Sequence, residues 1–163
     1  HGNDTGTEVV IKGAVPMVDG LNFGVGYALL EKQDAADTGS AVGESSVDQE
    51  EGTAYLTYAY GPLTLGVQKG AVVQGLTNTQ YVNDIYGISY SISDDLSVSY
   101  NVMEAARTAT DGLRTEQEFD SISIGYTMGG MSIKLADADC SKCSYTHGGR
   151  NQDETTISLS VAF

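Results

Sequence analysis

Large apolar and small polar side chains alternate along most of this chain, and that period of two constrains the fold more than any other feature. At the carboxy-terminus Ile157, Leu159, Val161 and Phe163 are interleaved with Ser158, Ser160 and Ala162. Successive side chains of a strand point to opposite faces, so the segment carries one apolar stripe and one small, wettable stripe. The parity recurs: Leu21, Phe23, Val25, Tyr27 and Leu29 oppose Asn22, Gly24, Gly26 and Ala28, and Ile122, Ile124, Tyr126 and Met128 oppose Ser121, Ser123, Gly125 and Thr127. An apolar stripe that ends on an aromatic ring is what the closing strand of a transmembrane barrel presents at the membrane interface.

Composition explains why these stripes are not expected to meet in a dry core. The 163 residues include no Trp, three Phe, ten Tyr and twenty Gly, which is poor material for filling an interior and good material for strands with one polar face. No run approaches the roughly 18 apolar residues of a spanning helix, so a membrane crossing would be made by strands. The formal charge of −14, from 22 acids against 8 bases, excludes nucleic acid as a partner, because phosphate affinity comes from Lys and Arg. The chain begins at His1 without an initiating Met or an apolar leader, so the expectation is that a leader was removed or that an upstream part is missing.

Short and long connections alternate. Tight turns are expected at Pro16 to Gly20, Gly61-Pro62, Asp94-Asp95 and Gly129-Gly130, where turn-forming residues concentrate. Longer loops are expected at 33–50, 75–82, 108–118 and 140–153. This is the rhythm of a barrel with short turns on one side of the membrane and long loops on the other. The strands it leaves are 5–15, 20–32, 52–60, 63–73, 83–93, 96–107, 118–128, 131–139 and 154–163. Phe23, Tyr60, Tyr90, Tyr126 and Phe163 lie near the tight turns or the terminus, as in an aromatic girdle. Lys69 interrupts the pattern, since parity places it on the apolar face of its strand. A bulge near Gly66 or Gly70, or a side chain snorkelling to the interface, would relieve it.

Nine strands leave the first and last running in the same direction, and a closed antiparallel barrel cannot join them. Residues 1–163 therefore read as one all-β domain, an antiparallel up-and-down transmembrane barrel of which this chain supplies a carboxy-terminal portion. A miscounted first strand would instead leave a complete eight-stranded barrel with a structural or adhesive role. A soluble acidic β-sandwich binding carbohydrate or calcium is the third architecture; it requires the apolar stripes to face one another.

Tyr86-Gly-Ile-Ser-Tyr-Ser-Ile-Ser-Asp-Asp-Leu-Ser-Val-Ser-Tyr100 and the ending Ile157-Ser-Leu-Ser-Val-Ala-Phe163 resemble the hairpins and terminal strand of Gram-negative general diffusion porins, especially those of alphaproteobacteria. The resemblance implies an integral protein of the bacterial outer membrane, surrounded by its lipid. It implies a homotrimer of pores with about sixteen strands each, of which this chain holds the last nine. It also implies that Phe163, with Val161 and Leu159, carries the signal read by the outer-membrane assembly machinery. The inward-folded loop that narrows such pores belongs to the other half, so no constriction acids carry over.

The small polar parity nominates the wall of a water-filled lumen. Asn22, Gln68, Ser89, Ser99 and Asn101 fall on it, as do Ser123 and Ser158. Lys12, Arg107 and Lys134 share that parity on separate strands, where they either set a transverse field for polar solutes or stand as solvated charges on a wet wall. Asp34, Asp37, Glu44, Asp48, Glu50 and Glu51 are expected in an outer loop that attracts cations, without the spacing of an EF-hand.

Catalytic signals are absent from the sequence. There is no Gly-x-Ser-x-Gly elbow and no phosphate-binding glycine loop, and Asp94-Asp95 reads as turn chemistry. Cys140 and Cys143 are candidates for a disulfide across an outer loop. A metal site with His147 and either Asp137 or Asp139, or a pair of free thiols, are the alternatives. The expectation is a passive channel for small hydrophilic solutes and ions, with no enzymatic activity and no cofactor or metal.

Overall fold

The computed structural model describes residues 5–33, 46–75, 77–145 and 149–161. They form nine strands: β1 (Thr5–Ala14), β2 (Leu21–Gln33), β3 (Ser46–Tyr60), β4 (Leu63–Gln74), β5 (Thr79–Ser91), β6 (Leu96–Thr108), β7 (Arg114–Met128), β8 (Met131–Ser141) and β9 (Gln152–Val161). Each pairs antiparallel with its neighbour in sequence, giving one sheet in chain order from β1 to β9. All nine expected strands are present. Because β2 is occupied on both sides, by β1 and β3, it is not free to close with β9 as a complete eight-stranded barrel would require. Among the described residues β1 and β9 do not pair with each other either, and an even number of antiparallel steps leaves them pointing the same way.

The short turns lie where the sequence places them. Gly61 and Gly129 take φ of 55° and 59°, left-handed values that a side chain disfavours and that tight hairpins need. At residues 92–95 the turn chemistry differs from expectation. Ser93, and not the two aspartates, accepts the backbone N–H of Asp95 and Leu96, at 3.3 and 3.1 Å.

At the other end the connections are shorter than the sequence suggests. β3 starts at Ser46, β5 at Thr79 and β7 at Arg114, so strand reaches four or five residues into each of three expected loops. Asp48, Glu50 and Glu51, expected in an outer loop, belong to β3; Asp34, Asp37 and Glu44 lie outside the described residues. The ladder continues there because backbone hydrogen bonds hold a strand whatever its side chains are. Both faces are polar in these stretches, so no alternation marks them.

Exposure is inverted relative to a soluble sheet. Along β7, Ile122 and Ile124 are 49% and 44% exposed, whereas Ser121, Ser123 and Gly125 between them are partly buried. The buried apolar residues among those described are Ala105, Ala106, Cys140 and Cys143. A sandwich needs its apolar stripes packed together; here they face outward from a single sheet. On β2 the outward stripe runs from Leu21 to Leu29, about 26 Å of strand and about 20 Å of height at a barrel tilt near 40°. Tyr58 and Tyr60 stack at its turn end with ring centroids 6.5 Å apart.

Lys69 needs no bulge. The pairing of β4 with β5 runs without a slip from Leu63↔Tyr90 to Gln74↔Thr79, and it puts Asp84 directly across from Lys69 on the apolar face. The ammonium lies 2.7 and 2.9 Å from the two carboxylate oxygens. A lone Lys on a lipid-facing wall costs about 2–4 kcal/mol at mid-bilayer and about 0–1 near the interface. On β4 the same face continues past Lys69 through Ala71 and Val73. Replacing Asp84 by Ala should therefore destabilise the barrel by about 1–2 kcal/mol in urea titrations of folding into lipid vesicles. The double replacement of Lys69 and Asp84 by Leu should restore stability to at least the starting value.

Candidate pore lining

Strand register decides which residues share the face opposite the apolar stripes. All ten candidate lining residues fall on it: Lys12 pairs with Gly24, Gln68 with Tyr55 and Ile85, Asn101 with Gly87 and Ser121, and Lys134 with Gly125 and Ser158. Ser89, Ser99 and Ser123 form one cross-strand row, in which the hydroxyls of Ser99 and Ser123 are 2.7 Å apart. Small side chains leave a hollow of about 710 Å³ on this face, bordered by Ser89, Ser99, Ser123, Lys134 and Ser158. The wall is concave on its polar side, as a lumen requires.

The remaining polar groups are spread along the face. Gln68 donates its amide to the Thr53 hydroxyl at 3.2 Å, and the Asn101 carboxamide lies over Gly87, where a Cβ would come within 2.7 Å of its oxygen. Asn22 sits beside the β1–β2 turn, with its amide 3.5 Å from the Gly20 carbonyl. The three cations are not brought together. Lys12 is on the β1 edge, Lys134 borders the hollow, and Arg107 lies near the loop end between Tyr81 and Thr115. Among the described residues none of the three has an ion-pair partner, and the Arg107 Nε is buried without a hydrogen-bond acceptor.

The register adds a feature that the sequence reading lacked. One cross-strand row on the polar face reads Glu8, Ala28, Glu51, Val72, Tyr81, Arg107 and Thr115. Acids occupy its β1 and β3 positions and a cation its β6 position. Strands about 4.8 Å apart put roughly 15 Å of wall between Glu51 and Arg107. Glu51 was expected in an outer loop and not on the wall because its segment has no alternation, and Tyr81 was missed because it precedes the alternating part of β5. Tyr55 was legible by parity alone; its ring covers Gly24, where a Cβ would fall 2.2 Å from the ring edge.

Cys140 and Cys143 form a disulfide, and both are buried, at 6% and 7% exposure. Bonded to each other, they offer no thiolate to a metal. His147 lies outside the described residues, and Asp137 and Asp139 have the parity of the apolar stripe, opposite to that of Cys140. The short 3-10 turn Cys143–Tyr145 packs on the polar face of the sheet. Ser144 N–H donates to Gln117 Oε1 at 3.0 Å, and the Tyr145 ring meets Tyr81 edge-on with centroids 5.8 Å apart. Burial raises the Tyr145 phenol above its usual pKa, and the Gln117 amide opposes that rise. Lys142, Ser144 and Tyr145 have φ of 55°, 68° and 53°, left-handed values that cost of order 1 kcal/mol or more each for residues with a Cβ.

Val161 and Leu159 project from the apolar side of β9, paired with Met131 and Ile133, while Phe163 lies outside the described residues.

No protein-family model matches the chain, and no curated protein does. Solved structures match its fold. OmpT folded in vitro, an outer membrane protein of Vibrio cholerae, aligns with a TM-score of 0.65 at 12% identity, over 97% of this chain and 55% of its own. The outer-membrane-expressed form of OmpT gives 0.64 at 11% identity with the same coverage. A trimer form of OmpT gives 0.60 at 11% identity, over 96% of this chain and 54% of its own. The chain thus spans about half the length of the structures it matches. The likeness is one of fold: nine up-and-down strands forming an unclosed part of an outer-membrane type of β-barrel.

Proposed function

We propose that this chain is part of the wall of an outer-membrane porin, a water-filled channel through which small hydrophilic solutes and ions diffuse passively. The observation that carries the reading is the inverted wall: a face rich in small and polar residues, hollowed over about 710 Å³ beside the serine row, backed by an exposed apolar face. Lipid satisfies the outer stripe and water the inner one, while the ladder occupies the backbone groups that neither could reach. The open edges of β1 and β9 are covered by further strands of a longer chain. An odd number of them is needed, and about seven would complete a barrel of the sixteen-stranded type. The general porins of alphaproteobacteria remain the family whose hairpins it resembles.

The work of such a wall is to hold a polar path open and to bias what enters it. Glu8 and Glu51 at one part of the lumenal row and Arg107 at another set a field across the water. A dipolar solute aligns in that field, and an apolar one loses more hydration than it recovers. This function needs no cofactor, no metal and no catalytic group. Three copies associating through their outer walls, as in the trimer form of OmpT, and insertion by the outer-membrane assembly machinery through β9 complete the proposal.

The test is reconstitution of the full barrel. Folded protein should give stepwise ionic conductance in planar bilayers and should let small sugars, but not oligosaccharides, swell liposomes. Protein that is folded by its heat-sensitive gel mobility and passes neither ions nor sugars would overturn the reading in favour of a structural barrel. Replacing Arg107 by Glu should raise the cation-to-anion permeability ratio roughly two-fold or more, read from the reversal potential across a salt gradient.

A further inference from the structure

Residues 143–145, which follow β8, turn inward over the polar face. Cys140 lies on that face, across from Phe119 and Gln152, and its bond to Cys143 bends the chain back over the sheet. Two contacts then fix the turn from different strands: Gln117 of β7 holds the Ser144 amide, and Tyr81 of β5 meets the Tyr145 ring. Tyr81 is also the cross-strand neighbour of Arg107, so Tyr145 stands over the lumenal row that carries the charges. Three of the four residues from Lys142 to Tyr145 are left-handed without being glycine. Such a conformation persists only where its surroundings impose it. The disulfide is the covalent restraint at its base.

We propose that the Cys140–Cys143 disulfide is a clamp that holds Tyr145 over the lumen as a local constriction, and that reduction by a small dithiol releases the turn and widens the pore. The proposal rests on the channel reading. In the release step a thiolate of the reductant attacks one cysteine sulfur, the Sγ–Sγ bond breaks, and a mixed disulfide forms. The second thiol of the reductant then closes its own ring and expels the cysteine. Two electrons pass to the protein, and both cysteine sulfurs end protonated. With the clamp open, the left-handed residues relax toward ordinary backbone and the Ser144 and Tyr145 contacts lose their anchor. The buried sulfurs make the reaction follow transient opening of the turn, so replacing both cysteines by Ser reaches the released state directly.

The experiment measures the full barrel in planar bilayers, oxidised, after treatment with dithiothreitol, and as the Cys140→Ser/Cys143→Ser variant, alongside hydrogen exchange at residues 143–145. Conductance of the reduced protein and of the variant should rise about 1.5-fold or more, because current follows the narrowest part of a pore. The Ser144 amide should lose its protection in parallel. The variant Tyr145→Ala should raise conductance while oxidised, and reduction should then add little. Unchanged conductance in folded, fully reduced protein, or a Tyr145→Ala effect with no effect of reduction, would overturn the clamp. Loss of Ser144 protection on reduction in a barrel that carries no current would support release of the turn and overturn the channel reading on which the widening depends.

Discussion

The backbone ladder is the constraint on which everything else in this structure depends. Each strand from β2 to β8 spends its N–H and C=O groups on two neighbours, and in lipid no water stands ready to replace a missing partner. A sheet that crosses lipid must therefore curve and close, and its side chains must divide between two solvents. That division accounts for the poverty of large aromatic residues and the abundance of Gly and Ser. One face carries many small residues and the other exposes Ile, Leu, Val and Tyr, with no large side chain fully buried among the described residues.

The ladder also explains the behaviour of the polar residues that break the pattern. Lys69 is tolerated on the apolar face because the ladder holds Asp84 directly across from it, without local distortion of the strand. The acids of β3 and β7 are tolerated in strands because the wall continues past the apolar stripe. On the polar face the ladder aligns Glu51 and Arg107 in one row while keeping them three strands apart, so they do not neutralise each other.

How much was legible depended on whether a segment had two different faces. The middle of every strand did, and from Leu21 to Leu29 or from Tyr86 to Ile92 parity identified the strand and both of its surfaces. The ten lining candidates came from the same parity, and the register places all of them on one face. The loop ends were illegible for the converse reason: Gln49, Glu50 and Glu51 look alike on both faces, so a strand there resembles a loop. Contacts between segments distant in sequence were illegible as well. Nothing in the neighbourhood of Lys69 announces Asp84, and nothing around Tyr145 announces Tyr81 or Gln117.

The sequence by itself determined a period-two chain with regular apolar stripes and the positions of the tight turns, and it gave an expected count of nine strands that the pairing of β2 with both β1 and β3 then established. Side-chain parity is a local property, set by the geometry of a single strand, and a sequence displays it directly. Only the tertiary structure decided the register. Register emerges from pairing between strands, and it placed Asp84 beside Lys69 and lined Glu8 and Glu51 up with Arg107, while contacts with Gln117 and Tyr81 set the disulfide-closed turn on the polar face.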